Sequence, residues 1–201
     1  MSSGKISDLP ESHQRVLDAA WQLILDKGST AISMAEIGRR AGVSRQAVYL
    51  FFGSRPGLLE AMTRRKDETS GMLARMAAAR ARDDAWEAIE TVMRTWLAYL
   101  PEIEPVAFAL IAAAATDPEA NDAWNKRMAG VRGIFRLLTR RLAGEARLAD
   151  GWDETSAGDF LFSLCHFTHW RTLVRECGWQ QQAVSERIVE TAGKTLLAGH
   201  P

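Results

Sequence analysis

Arg45 and Gln46, with Tyr49 and Leu50 one turn further on, place charged, amide, phenol and apolar groups together on a short stretch of helical periodicity. Arginine offers donors that match guanine O6 and N7, and glutamine can pair bidentately with adenine N6 and N7. Tyr49 and Arg55 are suited to phosphate oxygens, contacts that position a protein on a duplex without reading its sequence. Ser33 and Met34, Ser44 and Ala47, and Ser54 border the same stretch and complete the set of candidate nucleic-acid contacts. The chemistry on offer is recognition of base edges by side chains standing on a rigid helix.

The elements that would hold these groups are legible around them. Ser33 with Glu36 has the spacing of a capping box, predicting a helix that ends near Ala41. Gly42 suits the left-handed residue just past a helix end, Val43 is an apolar plug, and Ser44 can cap a second helix. On that second helix Ser44, Val48, Phe51 and Phe52 fall on one side, to pack against Ile37 and Ala41. Arg45, Gln46, Tyr49 and Leu50 are left beside or opposite it. A helix from about Pro10 to Lys27, stopped by Gly28, braces the pair and makes a three-helix head.

The run from Arg15 to Leu59 resembles the DNA-binding domain of the TetR family of bacterial one-component transcriptional regulators. The likeness rests on Ala19-Ala20, Gly28, Ile37, Ala41-Gly42-Val43-Ser44, Tyr49, Phe52, Arg55 and Leu58-Leu59. The chain departs from the family pattern at Phe51, where a phosphate-reaching histidine is common, at Pro56 for a usual glutamate, and at Ile24 for a usual phenylalanine. The resemblance implies a homodimer that binds a double-stranded DNA operator, acts as a repressor and answers to a small-molecule effector.

Composition agrees with a globular class: 47% apolar and 25% charged residues in a chain of 201. The formal charge is zero, but residues 1–80 hold 12 Lys/Arg against 8 Asp/Glu, and residues 81–201 hold 13 against 17. A basic head on an acidic body is the pattern of a nucleic-acid binder. No apolar run approaches the roughly 20 residues of a membrane span, and the N-terminus lacks the order of a signal peptide. Cys165 and Cys177 stand twelve apart on what reads as one helix, too distant to bridge, and are expected as reduced thiols in a cytoplasm.

The periodicity predicts an all-α fold of about nine helices. Residues 1–54 form the arm and helix-turn-helix domain, and residues 55–201 form a helical effector-binding and dimerisation domain. Residues 1–9 are polar and expected to be mobile. Ser54 caps a connecting helix spanning 55–82, a rigid rod between the two. Helices follow from Ala85 to Leu100, ending at Pro101, from Pro105 to Ala115, and from Glu119 to about Leu142. Thr155 to Cys177 reads as one helix, apolar nearly all round, and Gln182 to Leu197 as the last.

Phe160, Leu161, Leu164 and Phe167, with Val184, Ile188, Ala192 and Leu196, are the expected dimer interface, as half of a four-helix bundle. Trp96, Phe108, Trp124, Phe135, Phe162, His166 and Trp170 are the candidate lining of an apolar effector pocket, which the family resemblance implies. Core packing is the competing role for each. His166 and His169 sit one turn apart, but no further Cys or His completes a zinc set, His13 and His200 lying elsewhere in the chain. No metal, cofactor or catalytic residue is expected, since there is no phosphate loop, nucleophile elbow or HExxH. Two rival functions remain open: a constitutive DNA-binding dimer with a packed body, and a helical binding protein that keeps its head as a relic.

Overall fold

The computed structural model describes residues 8–199, so the polar N-terminal arm expected over 1–9 falls largely outside the described residues, as does His200. Ten α-helices and no strand appear among the described residues: α1 (Glu11–Lys27), α2 (Met34–Ala41), α3 (Arg45–Phe52), α4 (Arg55–Thr69), α5 (Met72–Arg80), α6 (Ala85–Ala112), α7 (Pro118–Gly144), α8 (Glu154–Leu164), α9 (Phe167–Arg171) and α10 (Gln181–Leu196). A π-helical turn, Thr172–Glu176, continues α9. None of these helices is long and apolar enough to cross a membrane.

The chain forms two compact units. One comprises the residues up to Leu73 with Glu102–Arg127, and the other Ala74–Pro101 with the chain from Met128 on. The first unit therefore extends beyond residue 54, taking in α4 and the segment Glu102–Arg127. Its core is built on Val16, Leu17, Ala20, Ile24, Ile37, Val48, Leu58, Leu59 and Met62, each at most 1% exposed. The local stop and start signals act as the sequence implies. Gly28 and Gly42 close α1 and α2 with φ of 61° and 71°. Ser33 and Glu36 form a complete capping box, and Ser44 and Ser54 cap α3 and α4 through side-chain oxygens.

Gly38 carries a requirement that spacing alone does not reveal. Val43 N–H donates to its carbonyl at 2.9 Å, folding the α2–α3 turn back onto the helix. A Cβ on Gly38 would lie 2.8 Å from the Val43 carbonyl oxygen, a backbone atom that cannot swing away. Gly38→Ala is expected to cost about 1 kcal/mol or more of unfolding free energy, measurable by urea denaturation, because the turn must open to admit the methyl.

Three helix boundaries differ from the sequence expectation. The rod expected over 55–82 is broken: α4 ends at Thr69, and Gly71 adopts φ of 73° before α5 begins. Ser70 Oγ accepts from Met72 N–H at 3.3 Å, supplying a local alternative to the helical bond.

Pro101 and Pro105, expected to separate two helices, lie inside the single helix α6. A proline at 101 lacks the N–H that would bond the Leu97 carbonyl, a loss that ordinarily breaks a helix. Here Gln181 Nε2 donates to Leu97 O at 2.8 Å, while Gln181 Oε1 accepts from Trp170 Nε1 at 2.5 Å. The orphaned acceptor is satisfied from another helix, so α6 continues.

The helix expected from Thr155 to Cys177 is interrupted at Cys165 and His166, where His166 caps α9 by accepting from Thr168 N–H. Cys165 O accepts instead from Trp96 Nε1 at 2.9 Å. Both cysteines are free thiols, Cys165 buried and Cys177 exposed. Burial alone pushes the Cys165 thiol upward from its ordinary pKa.

Candidate nucleic-acid interface

Helix α3 is anchored by one fully buried side chain, Val48, with Phe51 and Phe52 half-buried behind it. Ser44 Oγ accepts from Ala47 N–H at 3.1 Å and fixes the first turn. The opposite face is open: Ser44, Arg45 and Gln46 are exposed, Tyr49 is 41% exposed and Leu50 83%. The Arg45 guanidinium lies over the Tyr49 ring, 5.6 Å from its centroid, so the two are held as a pair. Ala47 is half-buried at the edge of this face. Donors, an aromatic and a bare aliphatic group thus stand on a short rigid helix, as a groove reader requires.

The flanking candidates fare unevenly. Ser33 is committed to its cap: its N–H and Oγ both donate to Glu36 Oε2, and its Oγ accepts from Glu36 N–H. Hydrogen bonds from Lys27 and then from Ser33 hold the Glu36 carboxyl down at about 2. Met34, expected at the DNA backbone, is 4% exposed and belongs to the core, where an apolar side chain is worth more than in water. Ser54 is exposed and accepts from Gly57 N–H at 3.3 Å. Arg40 is paired with Asp26 at 2.5 Å.

Arg55 requires the largest correction. It was expected to hold a phosphate, but its guanidinium forms two hydrogen bonds to Asp117, at 2.8 and 2.7 Å, and a third to Thr30 O at 2.7 Å. Glu119 adds an ion pair at 3.2 Å, and the Arg55 side chain is only 21% exposed. Asp117 also accepts from Thr30 Oγ1 at 3.0 Å and from Ala120 N–H at 3.1 Å. Its carboxyl is held at about 2, chiefly by the hydrogen bonds from Arg55. The planar fork of an arginine saturated by a carboxylate has no geometry left for a phosphate.

This cluster was missed from sequence. Asp117 reads there only as the residue opening a helix before Pro118, and nothing in the spacing ties it to residue 55. A second unforeseen contact involves Phe51, where a histidine is common in the family. It stacks on His13 of α1 at 3.7 Å between ring centroids, with an interplanar angle of 18°.

The candidate pocket residues divide between the two units. Phe108 and Trp124 belong to the first unit; Trp96, Phe135, Phe162, His166 and Trp170 belong to the second. Trp96, Phe135 and Trp170 are at most 2% exposed and serve as core, the indole N–H groups of the two tryptophans bonded as described. Trp124 borders a crevice of about 10 Å³, room for a water at most. Phe108 is 44% exposed, whereas Phe162 and His166 are half-buried and meet edge to face at 5.5 Å. Burial, and then the charge of His169, lower the His166 pKa.

Six of the eight expected interface residues are also core. Leu161, Phe167, Val184, Ile188, Ala192 and Leu196 are at most 4% exposed within their own chain. The four-residue stripe of α10 marks the face turned to its own unit, so it cannot also meet a second copy. Phe160 and Leu164, one turn apart on α8, are half-buried. Among the described residues no three His, Cys, Asp or Glu side chains are placed to hold a metal ion.

A three-helix head with an exposed α3 and glycine-turned α2–α3 corner defines a helix-turn-helix protein. Residues 16–62 match the family model described as bacterial regulatory proteins, tetR family. Those residues carry the DNA-binding domain of that family.

The HTH-type transcriptional regulator AlkX of Mycobacterium tuberculosis is 47% identical over 45 residues, 22% of this chain and 21% of its own. The HTH-type transcriptional regulator BetI of Rhizobium meliloti is 40% identical over 60 residues, 30% of each. The chain thus aligns with only a fifth to a third of these two curated relatives. A solved structure of FadR from Bacillus subtilis, in complex with stearoyl-CoA, superposes with a TM-score of 0.70 at 18% identity, covering 90% of this chain and 97% of that one. That likeness extends the fold to nearly the whole chain and carries no more than the fold.

Proposed function

We propose that this chain is a homodimeric repressor that reads a palindromic operator through α3 and is released by a small apolar or aromatic effector. The exposed face of α3 carries this reading: Arg45, Gln46, Tyr49 and Leu50 project from a helix fixed by its cap and by Val48. Two such helices about 34–36 Å apart would enter successive major grooves on one side of the duplex. Arg45 and Gln46 read bases, and Tyr49 meets the backbone.

The second copy docks on α8, where Phe160 and Leu164 form the part of the expected interface not consumed by the core. Replacing both with glutamate is expected to give a folded monomer by sedimentation and circular dichroism; an unchanged dimer would move the interface elsewhere. The effector enters beside Phe162 and His166, the half-buried pair among the aromatic candidates. It shifts the population only by its differential affinity for the DNA-competent and incompetent states. The FadR structure in complex with stearoyl-CoA is of a protein of this fold whose ligand includes a long apolar acyl chain.

Operator selection from random DNA, repeated with and without acyl and aromatic candidates, tests the reading. A selected palindrome whose binding is weakened by a candidate is the expected result. Selection of no sequence would leave the head a relic, and a palindrome indifferent to every candidate would favour the constitutive dimer.

A further inference from the structure

Leu50 is the most exposed large apolar side chain among the described residues, at 83%, and it lies in the centre of the reading face. At about 100° per residue, positions two before and two after Val48 point roughly 160° away from it. Those positions are Gln46 and Leu50, and Val48 is fully buried. The two side chains therefore project most directly outward, one turn apart, while Arg45 and Tyr49 pair on the flank. A leucine in that position gains nothing from water or phosphate. The apolar group that unmodified DNA presents in its major groove is the C5-methyl of thymine.

We infer that Leu50 is a specificity-determining residue that packs against a thymine methyl, within about two base pairs of the base read by Gln46. The separation follows from a rise of about 6 Å between residues four apart, set against about 3.4 Å per base pair along a duplex strand. The inference rests on the proposed operator binding and adds to it a defined atom on the DNA. Each half-site would carry an adenine facing Gln46 and a thymine facing Leu50 on one line of contact.

Deoxyuridine scanning tests it without touching the protein, since uracil pairs as thymine does and lacks only the methyl. Each thymine of the selected operator is replaced in turn and binding is measured for the natural protein and for Leu50→Ala. One thymine per half-site should show a loss of about three- to tenfold with the natural protein, the worth of burying one methyl to a methyl and its neighbours. The same replacement should cost Leu50→Ala less than twofold. Leu50 packs on nothing that its truncation would empty, so the variant should retain the fold.

A selected operator at which no thymine is sensitive, or at which the sensitivity survives in Leu50→Ala, would overturn the assignment and leave operator binding intact. Uniform weakening of all sequences by Leu50→Ala would place the side chain against sugar and overturn it equally. Failure to select any sequence would remove the regulator reading and this inference together.

Discussion

Asp117→Asn is expected to destabilise the first compact unit by about 2 kcal/mol at pH 7 and to lose most of that effect by about pH 2. Asp117 receives two hydrogen bonds from Arg55 and one each from Thr30 and Ala120, with its side chain 18% exposed. Asparagine keeps the shape and part of the hydrogen bonding but removes the charge that the guanidinium faces. The folded carboxyl titrates near 2, against 3.8 for an unperturbed one. A depression of that size corresponds to about 2 kcal/mol of stability.

Because the folded pKa is the lower one, this stability is fully present above pH 3.8 and drains away as pH falls towards 2. Urea unfolding of both proteins at pH 7 and again near pH 2.5 measures it. Converging curves in acid are expected; a constant gap would mean that the loss comes from packing. The same cluster reverses what Arg55→Ala should do to DNA binding. Were Arg55 a phosphate contact, its loss would flatten the salt dependence by about one unit of slope. Held as it is by Asp117, Glu119 and Thr30, it should leave that slope unchanged and register in stability instead.

What the sequence disclosed and what it withheld divide along the range of the interactions. The capping box at Ser33 and the caps at Ser44 and Ser54 join residues three apart, so their chemistry is written in the spacing itself. The outward set on α3 followed from helical geometry once Val48 was assigned inward. Arg55 and Asp117 are 62 positions apart, and each has a sound local role that hides the other. Proline at 101 is a helix breaker by every local rule, and only Gln181, 84 residues after Leu97, makes its presence within α6 tolerable. The stripe Val184, Ile188, Ala192 and Leu196 showed that one face of α10 is apolar. Periodicity shows that such a face is covered without saying by what, and here the chain covers it itself.

Gln46→Ala is expected to weaken the selected operator by about 1–3 kcal/mol, about five- to 150-fold, while binding to scrambled DNA changes less than twofold. The amide is exposed on the line pointing away from Val48, so its removal leaves the packing of α3 untouched. Bidentate pairing with adenine is made only at the cognate base, which confines the loss to one position and relaxes preference there. The side chain is neutral, so the slope of affinity against salt should not move; loss of a cationic phosphate contact would lower it.

Those two readouts together separate base reading from every structural alternative. A disturbed α3 would weaken all sequences, because Tyr49 and Arg45 would be displaced with it. A backbone contact through the amide would also weaken all sequences, again with no change of slope. Only a direct base contact couples a large cognate loss to an unchanged scrambled affinity. An equal loss on both DNAs would therefore remove Gln46 from the reading face and with it the adenine expected beside the thymine of Leu50.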